Sequence, residues 1–365
     1  MPLTLSHISE MKFLIVICNV IAFLCFTAPG FAEVRLPAGF TLKKFATVPN
    51  ARSLAPVPKL GLIFVGTRGD SLYAVTQKGH TILLADDLYV PNGIAWKDGY
   101  LYVAEQHRLI RFKIGDALPA KWPKPEILFT DFPNIRLHGW RYAAFGPDGA
   151  LYVSIGSPCN ICEINNFEGT ILRFDPTTWV PTVFARGIRN SVGIAFDPRN
   201  GDMIFTDNGA DNMGDNIPPD EINRAATAGL HFGFPYFGGG SARTTEFKGA
   251  PLPENRAPLY GFQAHVAPLG LHFYRADRFP EHYRHGVFVA QHGSWNRTIP
   301  VGYQISFLVM DQRGKVVREE PFLTGWLSKN GDVTARPVDI APWTNGSLLI
   351  SDDAEDSLYI LDYQE

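Results

Sequence analysis

A handful of polar residues interrupt the apolar pattern of this chain at places where chemistry could be done. His138, in Leu137-His138-Gly139-Trp140-Arg141, is a candidate general base, because imidazole titrates near neutral pH. Arg189 next to Asn190, Arg336 and Arg297 carry planar guanidinium groups, which suit carboxylates. Asp207-Asn208-Gly209-Ala210 offers carboxylate, amide and backbone oxygens within one turn, the donor set of a hard cation such as calcium. The same composition also suits a plain Asx loop. Asn92, His265 and His292, with Gln291 beside it, are further binding candidates, and Asp220-Glu221 suits either a second ion or the cap of a short helix from Pro219.

The elements that must position these residues recur along the chain. One unit is a strand ending in an apolar pair, a turn with Gly or Asp, and a second strand. Asn92-GIAW-KDG-YLYVAEQ, Tyr142-AAF-GPDG-ALYVSIG and Val192-GIAF-DPRNG-DMIFTDNG are three copies. Leu269-GLHFY with HGVFVAQHG, Pro337-VDIAP-WTNG-SLLISDD and a degenerate Ala55-PVPKLGLIFVGTRG bring the number to six. Third strands follow in most copies (Ser71-LYAVT, Arg108-LIRFKI, Thr170-ILRFD) and fourth strands in several. Six repeats of four short antiparallel strands predict an all-β fold, a six-bladed β-propeller; a pair of β-sandwiches is the runner-up. The last copy lacks a fourth strand and Phe40-TLKKFATV is a spare one, so the two ends are expected to close the ring together. In such a meander the loop before strand one and the loop after strand two share a face. Asn92, His138, Arg189-Asn190, His265 and Arg336 belong to the first loop class. Asp207-Asn208 and Gln291-His292 belong to the second. They are expected to converge on one pocket.

Composition narrows the classes further. The chain of 365 residues is 45% hydrophobic and 19% charged, with a net charge of −3, so it can bury a core and has no basic stripe for nucleic acid. Lys12, the apolar run Phe13–Ala28 and Pro29-Gly30-Phe31-Ala32 read as a signal peptide over residues 1–32, cleaved before Glu33. The expectation is a periplasmic or secreted protein with one propeller domain over 33–365. It carries an insertion at about 213–263 that suits a lid or a homodimer contact. In an exported chain, Cys159 and Cys162 are expected to form a small structural disulfide.

The stretch Leu137-His138-Gly139-Trp140-Arg141 through Gly146-Pro147-Asp148-Gly149 resembles the catalytic-histidine segment of soluble sugar dehydrogenases that use pyrroloquinoline quinone (PQQ). Ile188-Arg189-Asn190 through Asp220-Glu221-Ile222-Asn223 resembles their next segment. Ala264-His265 through Gly270, His292-Gly293-Ser294-Trp295-Asn296-Arg297, Gly331 through Arg336-Pro337 and Ser351-Asp352-Asp353 are similar to the sorbosone dehydrogenase branch. The resemblance runs from about residue 40 to the end. It implies that His138 takes the hydroxyl proton as hydride leaves the adjacent carbon for the quinone. It implies that Arg189 and Asn190 contact the cofactor and that the carbonyls of Gly209 and Ala210 hold calcium; Arg336, by its place before the sixth strand one, is a second carboxylate clamp, with Arg297 a third candidate. The implied partners are a sugar or sugar aldehyde and an external electron acceptor, a quinone or a cytochrome. The chain departs from the glucose enzymes at two points. Leu137, not an acid, precedes the histidine, and Gln291-His292 stand near the place of a cofactor-contacting lysine.

Two other functions remain open to the sequence. Pro91-Asn92-Gly93-Ile94-Ala95-Trp96 is close to a phrase of gluconolactonase-like chains, which would make the protein a calcium-dependent lactonase. A non-catalytic binding propeller is the third reading, and the His and Arg residues gathered on one face argue against it.

Overall fold

The computed structural model describes residues 34–364, so the expected signal peptide lies outside the described residues. Almost all regular structure is strand, with three short 3-10 turns, and no described helix is long and apolar enough to cross a membrane. The strands form six antiparallel blades, as the repeats predict. Blade one is Ala51–Val57, Leu62–Thr67, Leu72–Thr76 and Thr81–Ala85; blade two is Gly93–Lys97, Tyr100–Ala104, Leu109–Lys113 and Glu126–Phe129. Blade three runs from Ala143–Phe145 to Pro181–Arg186, blade four from Ile194–Phe196 to Tyr260–Gly261, and blade five from Pro268–Phe273 to Val316–Leu323.

Blade six joins the two ends of the chain. Pro337–Pro342, Leu348–Asp352 and Ser357–Tyr363 are completed by Phe40–Thr47, which pairs antiparallel with Ser357–Tyr363. The innermost strands contact one another all round, blade six meeting blade one. Closing the ring leaves no exposed inner edge.

The apolar core follows from the strand period. Each strand presents alternate residues to the blades on either side, and the buried side chains fall into separate layers between neighbours. Ile94, Leu101 and Phe112 pack against Phe64 and Leu72 between blades two and one. Phe288 and Phe307 pack with Phe40 and Ile350 between blades five and six. Burying each such side chain contributes roughly 1.5–3 kcal/mol, so every inter-blade layer is a substantial source of stability.

The segment 213–263 is not a pure insertion. It contains two strands of blade four, Glu221–Ala225 and Tyr260–Gly261, and Pro219 starts no helix. Leu230–His231 adds to the outer edge of blade three, and Phe237–Gly239 with Ala242–Arg243 makes a hairpin.

Candidate active site

On the face where the loops of interest gather, a cavity of about 250 Å³ is walled by His138, Trp140, Arg189, Asn190, Asn208 and His265, among others. His138 is held there by a tight approach of backbone. It has φ 51°, an uncommon conformation for a residue with a Cβ. A Cβ on Gly156 would lie 2.5 Å from that of His138, so only glycine admits this contact.

The protonation of His138 can be deduced from its partners. Nδ1 lies 3.0 Å from both the carbonyl oxygen and Oγ of Ser157. The Ser157 hydroxyl donates to the carbonyl of Cys159 at 2.8 Å, so both Ser157 oxygens are left as acceptors. Nδ1 therefore carries the proton, and the Nε2 lone pair, which has no described protein partner, belongs to a residue on the cavity wall. Burial, and secondly the charge of Arg189, lower the pKa of His138 to about 3. The ring is thus neutral at neutral pH. Where Leu137 offers no acid before the histidine, the orienting group is Ser157, from the loop after strand two of blade three.

That same loop orients Arg189. Cys159 and Cys162 form a disulfide, and Asn160 lies between them. Arg189 donates through Nε to the Asn160 carbonyl at 3.0 Å and through Nη2 to Asn160 Oδ1 and Asp211 Oδ2, both at 2.7 Å. Asn160 Oδ1 also accepts from the amide of Asp211, and its Nδ2 donates to the Asp211 carbonyl. Neither Ser157 nor Asn160 stood out in the sequence; the one available signal was the position of Asn160 inside the cysteine pair.

The candidate cation segment divides. Both carboxylate oxygens of Asp207 accept backbone amides, those of Asn190 and Arg189, and Asp207 does not line the cavity. Burial, with Glu221 nearby, raises its pKa to about 7. Ala210 is also off the wall, its amide bonded to the Gly238 carbonyl. Asn208 and Gly209 line the cavity. Oδ1 of Asn208 and Oδ1 of Asn190 are buried with no partner among the described residues. Among the described residues nothing donates to the carbonyls of Gly209 and Ala210 either. Asp220, which caps no helix, bridges the amides of Gly209 and Ala267 at 2.7 Å each, and burial raises its pKa to about 6.

Asn92, His292, Arg297 and Arg336 fall outside that wall. Asn92 is fully buried between blades, accepting from Arg52 and donating to the Arg141 carbonyl. His292 Nε2 lies 2.8 Å from Asp353 Oδ1, while Arg336 donates to the carbonyls of His292 and Gly293 at 3.1 and 2.8 Å. Arg297 ties down the segment after Gly214 through the carbonyl of Asp215, and His265 Nε2 meets the Gly214 carbonyl at 2.8 Å. The expected single pocket is therefore one open cavity and a hydrogen-bonded network beside it.

The sequence profile of the family described as glucose / sorbosone dehydrogenase matches residues 100–360. The chain belongs to that family. The match places the protein among oxidoreductases. An uncharacterized protein of Borreliella burgdorferi is 34% identical over 349 residues, 92% of each chain. Solved structures share the fold of this family member at lower identity. A calcium structure of a Trichoderma reesei carbohydrate-active enzyme of family AA12 has a TM-score of 0.77 at 20% identity, covering 92% of this chain and 98% of that one. The holo form of the pyranose dehydrogenase PQQ domain from Coprinopsis cinerea has 0.75 at 18%, covering 91% and 97%. The PQQ-bound aldose sugar dehydrogenase from Streptomyces coelicolor has 0.65 at 19%, covering 90% and 100%.

The wall of this family member fits a quinone cofactor with a cation. Unpartnered amide oxygens of Asn190 and Asn208 and the undonated carbonyl of Gly209 are what a calcium ion takes, and Arg189 brings a guanidinium to the same wall. Among the described residues no three His, Cys, Asp or Glu side chains cluster to hold a metal.

Proposed function

We propose that the protein is a PQQ-dependent dehydrogenase of a sugar or sugar aldehyde, exported from the cytoplasm, that passes its electrons to an external quinone or cytochrome. The observation that carries this reading is His138: a neutral imidazole with Nδ1 committed to Ser157, and no described partner at Nε2, on the wall of a cavity whose oxygens are unfilled.

In this reading Nε2 accepts the proton of the substrate hydroxyl. Burial keeps the ring neutral and Ser157 keeps its lone pair aimed one way, so no reorganisation precedes the transfer. Bound PQQ supplies the two-electron acceptor for the hydride leaving the same carbon. Arg189 would hold a carboxylate of the cofactor, and Asn190, Asn208 and Gly209 would present oxygens to calcium. Asn160 and Asp211 fix the guanidinium before the ligand arrives, so the order is already in place when the cofactor binds.

The test is dye reduction by the chain from Glu33 with PQQ and calcium, over a panel of aldoses and sugar aldehydes. Turnover that requires PQQ, and that is lost in His138→Ala while the variant still binds PQQ, is the expected result. A chain that binds no PQQ with or without calcium overturns the reading.

A further inference from the structure

A second cavity, of about 520 Å³, adjoins the first, and Trp140 is a wall of both. Its chemistry differs from that of the His138 cavity. Tyr89 and Trp140 offer ring faces, Asn50 and Gln106 offer amides, and Arg68 and Arg136 offer guanidinium groups. No Asp or Glu lines it.

That donor balance is informative. A neutral sugar hydroxyl both donates and accepts, so a wall matched to it carries acceptors as well as donors. Here the two arginines supply charged donors only, the Asn50 oxygen is already taken by Arg68, and the side-chain acceptors left are the Gln106 amide oxygen and the Tyr89 hydroxyl, both neutral. Arg136 is exposed, and among the described residues none accepts from its guanidinium. Arg68 donates through Nε to Asn50 Oδ1 at 3.0 Å, and its Nη1 is 3.5 Å from Asp353 Oδ2. That carboxylate already faces the buried Arg52 at 2.7 Å, so the cations here outnumber the anion. Arg52 also lies 5.5 Å from the centre of the Trp140 ring, which fixes the wall the two cavities share.

We propose that the second cavity is a subsite for the oxyanion of an acidic sugar, a carboxylate or a phosphate carried on an aldose whose reacting carbon reaches His138. Trp140 covers a face of the sugar ring between the two cavities, and Arg136 with Arg68 takes the charged group. For the reaction at His138 this rests on the dehydrogenase reading; for binding it does not.

The experiment compares glucuronate, glucose 6-phosphate and glucose on the PQQ- and calcium-loaded full protein, with Arg136→Gln beside it. Arg136 is exposed and holds nothing else, so this variant folds. At least one charged sugar is expected to exceed glucose about tenfold in kcat/KM, through KM, with the advantage shrinking in 0.5 M salt. Arg136→Gln is expected to remove that advantage and change glucose less than about twofold. The two charged probes separate a carboxylate site from a phosphate site. Equal turnover of all three sugars, or an equal loss for all three in Arg136→Gln, overturns the subsite.

Calorimetric titration of the charged sugars separates this inference from the one it rests on. Binding that depends on Arg136, without oxidation of any sugar, supports the subsite and overturns the dehydrogenase reading. Oxidation of glucose without binding of either charged sugar supports the dehydrogenase and overturns the subsite.

Discussion

Two buried polar regions lie side by side on one face of this propeller, and they differ in what is left over. In the wall of Asn190, Asn208 and His138, buried oxygens and a ring nitrogen have no described partner. In the neighbouring network, Asp353 meets Arg52, Arg68 and His292, and Arg336, which is off the cavity wall, donates to two carbonyls. Against the opposing effect of burial, His292, Arg52 and Arg68 hold Asp353 well below the ordinary carboxylate range. Burial lowers the pKa of His292 to about 4 and leaves it neutral at neutral pH. Residues of the same types are therefore placed differently: the ion-paired set ties blades one, five and six together, while the other set leaves oxygens and a ring nitrogen open to a ligand.

The sharpest way to break this division is to cut one member of each set. His138→Ala is expected to lower kcat/KM by about 10²–10⁴-fold, with the urea midpoint little changed. Asp353→Ala is expected to do the reverse. It leaves Arg52 buried without its carboxylate and costs about 3–5 kcal/mol of stability, read by urea unfolding followed by fluorescence. Loss of activity in both with no loss of stability in either would erase the distinction.

Asn160 sharpens the comparison within the open set. Asn160→Ala removes the Oδ1 contact of Arg189 and two bonds to Asp211. The expected cost is about tenfold in PQQ affinity, or about 1.4 kcal/mol, and reduction of Cys159–Cys162 is expected to act in the same direction. Titration of PQQ with and without dithiothreitol measures it, and an unchanged affinity in both would show that the loop does not position Arg189.

The smallest expected effect concerns pH. Burial and the charge of Arg189 lower the pKa of His138 to about 3, below the ordinary imidazole value of 6.5. The base form is therefore present at neutral pH and lost only as pH falls toward the lowered value. Arg189→Gln removes one of the two causes. The acid limb of the kcat/KM profile is expected to move up in pH in that variant. A limb that stays in place, or moves down, would separate His138 from Arg189.

Much of the fold was legible because strand and turn chemistry repeat. Asn92-GIAW-KDG-YLYVAEQ and its relatives announce inner strands and tight turns, and Phe40–Thr47 was readable as the closing strand from the missing fourth strand at the other end. The site was legible in part. His138, Arg189, Asn190, Asn208, Gly209 and His265 share the cavity, as their loop positions imply. The rest was hidden for a physical reason. Both Arg189 and Arg336 donate to two carbonyls, and what separates them is that Arg189 lies on the cavity wall and Arg336 does not, which depends on how neighbouring blades meet. Ser157 was hidden because its role depends on the backbone turn of His138. Segment 213–263 was misread because its own short strands, Glu221–Ala225 and Tyr260–Gly261, sit among turns that resemble an insertion.

The division between an open wall and a hydrogen-bonded network is tested most directly by titrating PQQ, with calcium present, into Arg189→Gln and Arg336→Gln, each with its urea midpoint measured. The account predicts that Arg189→Gln loses at least about tenfold in affinity. It predicts that Arg336→Gln stays within about threefold while losing about 1–2 kcal/mol of stability. A loss of affinity in Arg336→Gln as large as that in Arg189→Gln, with the fold intact, would contradict it.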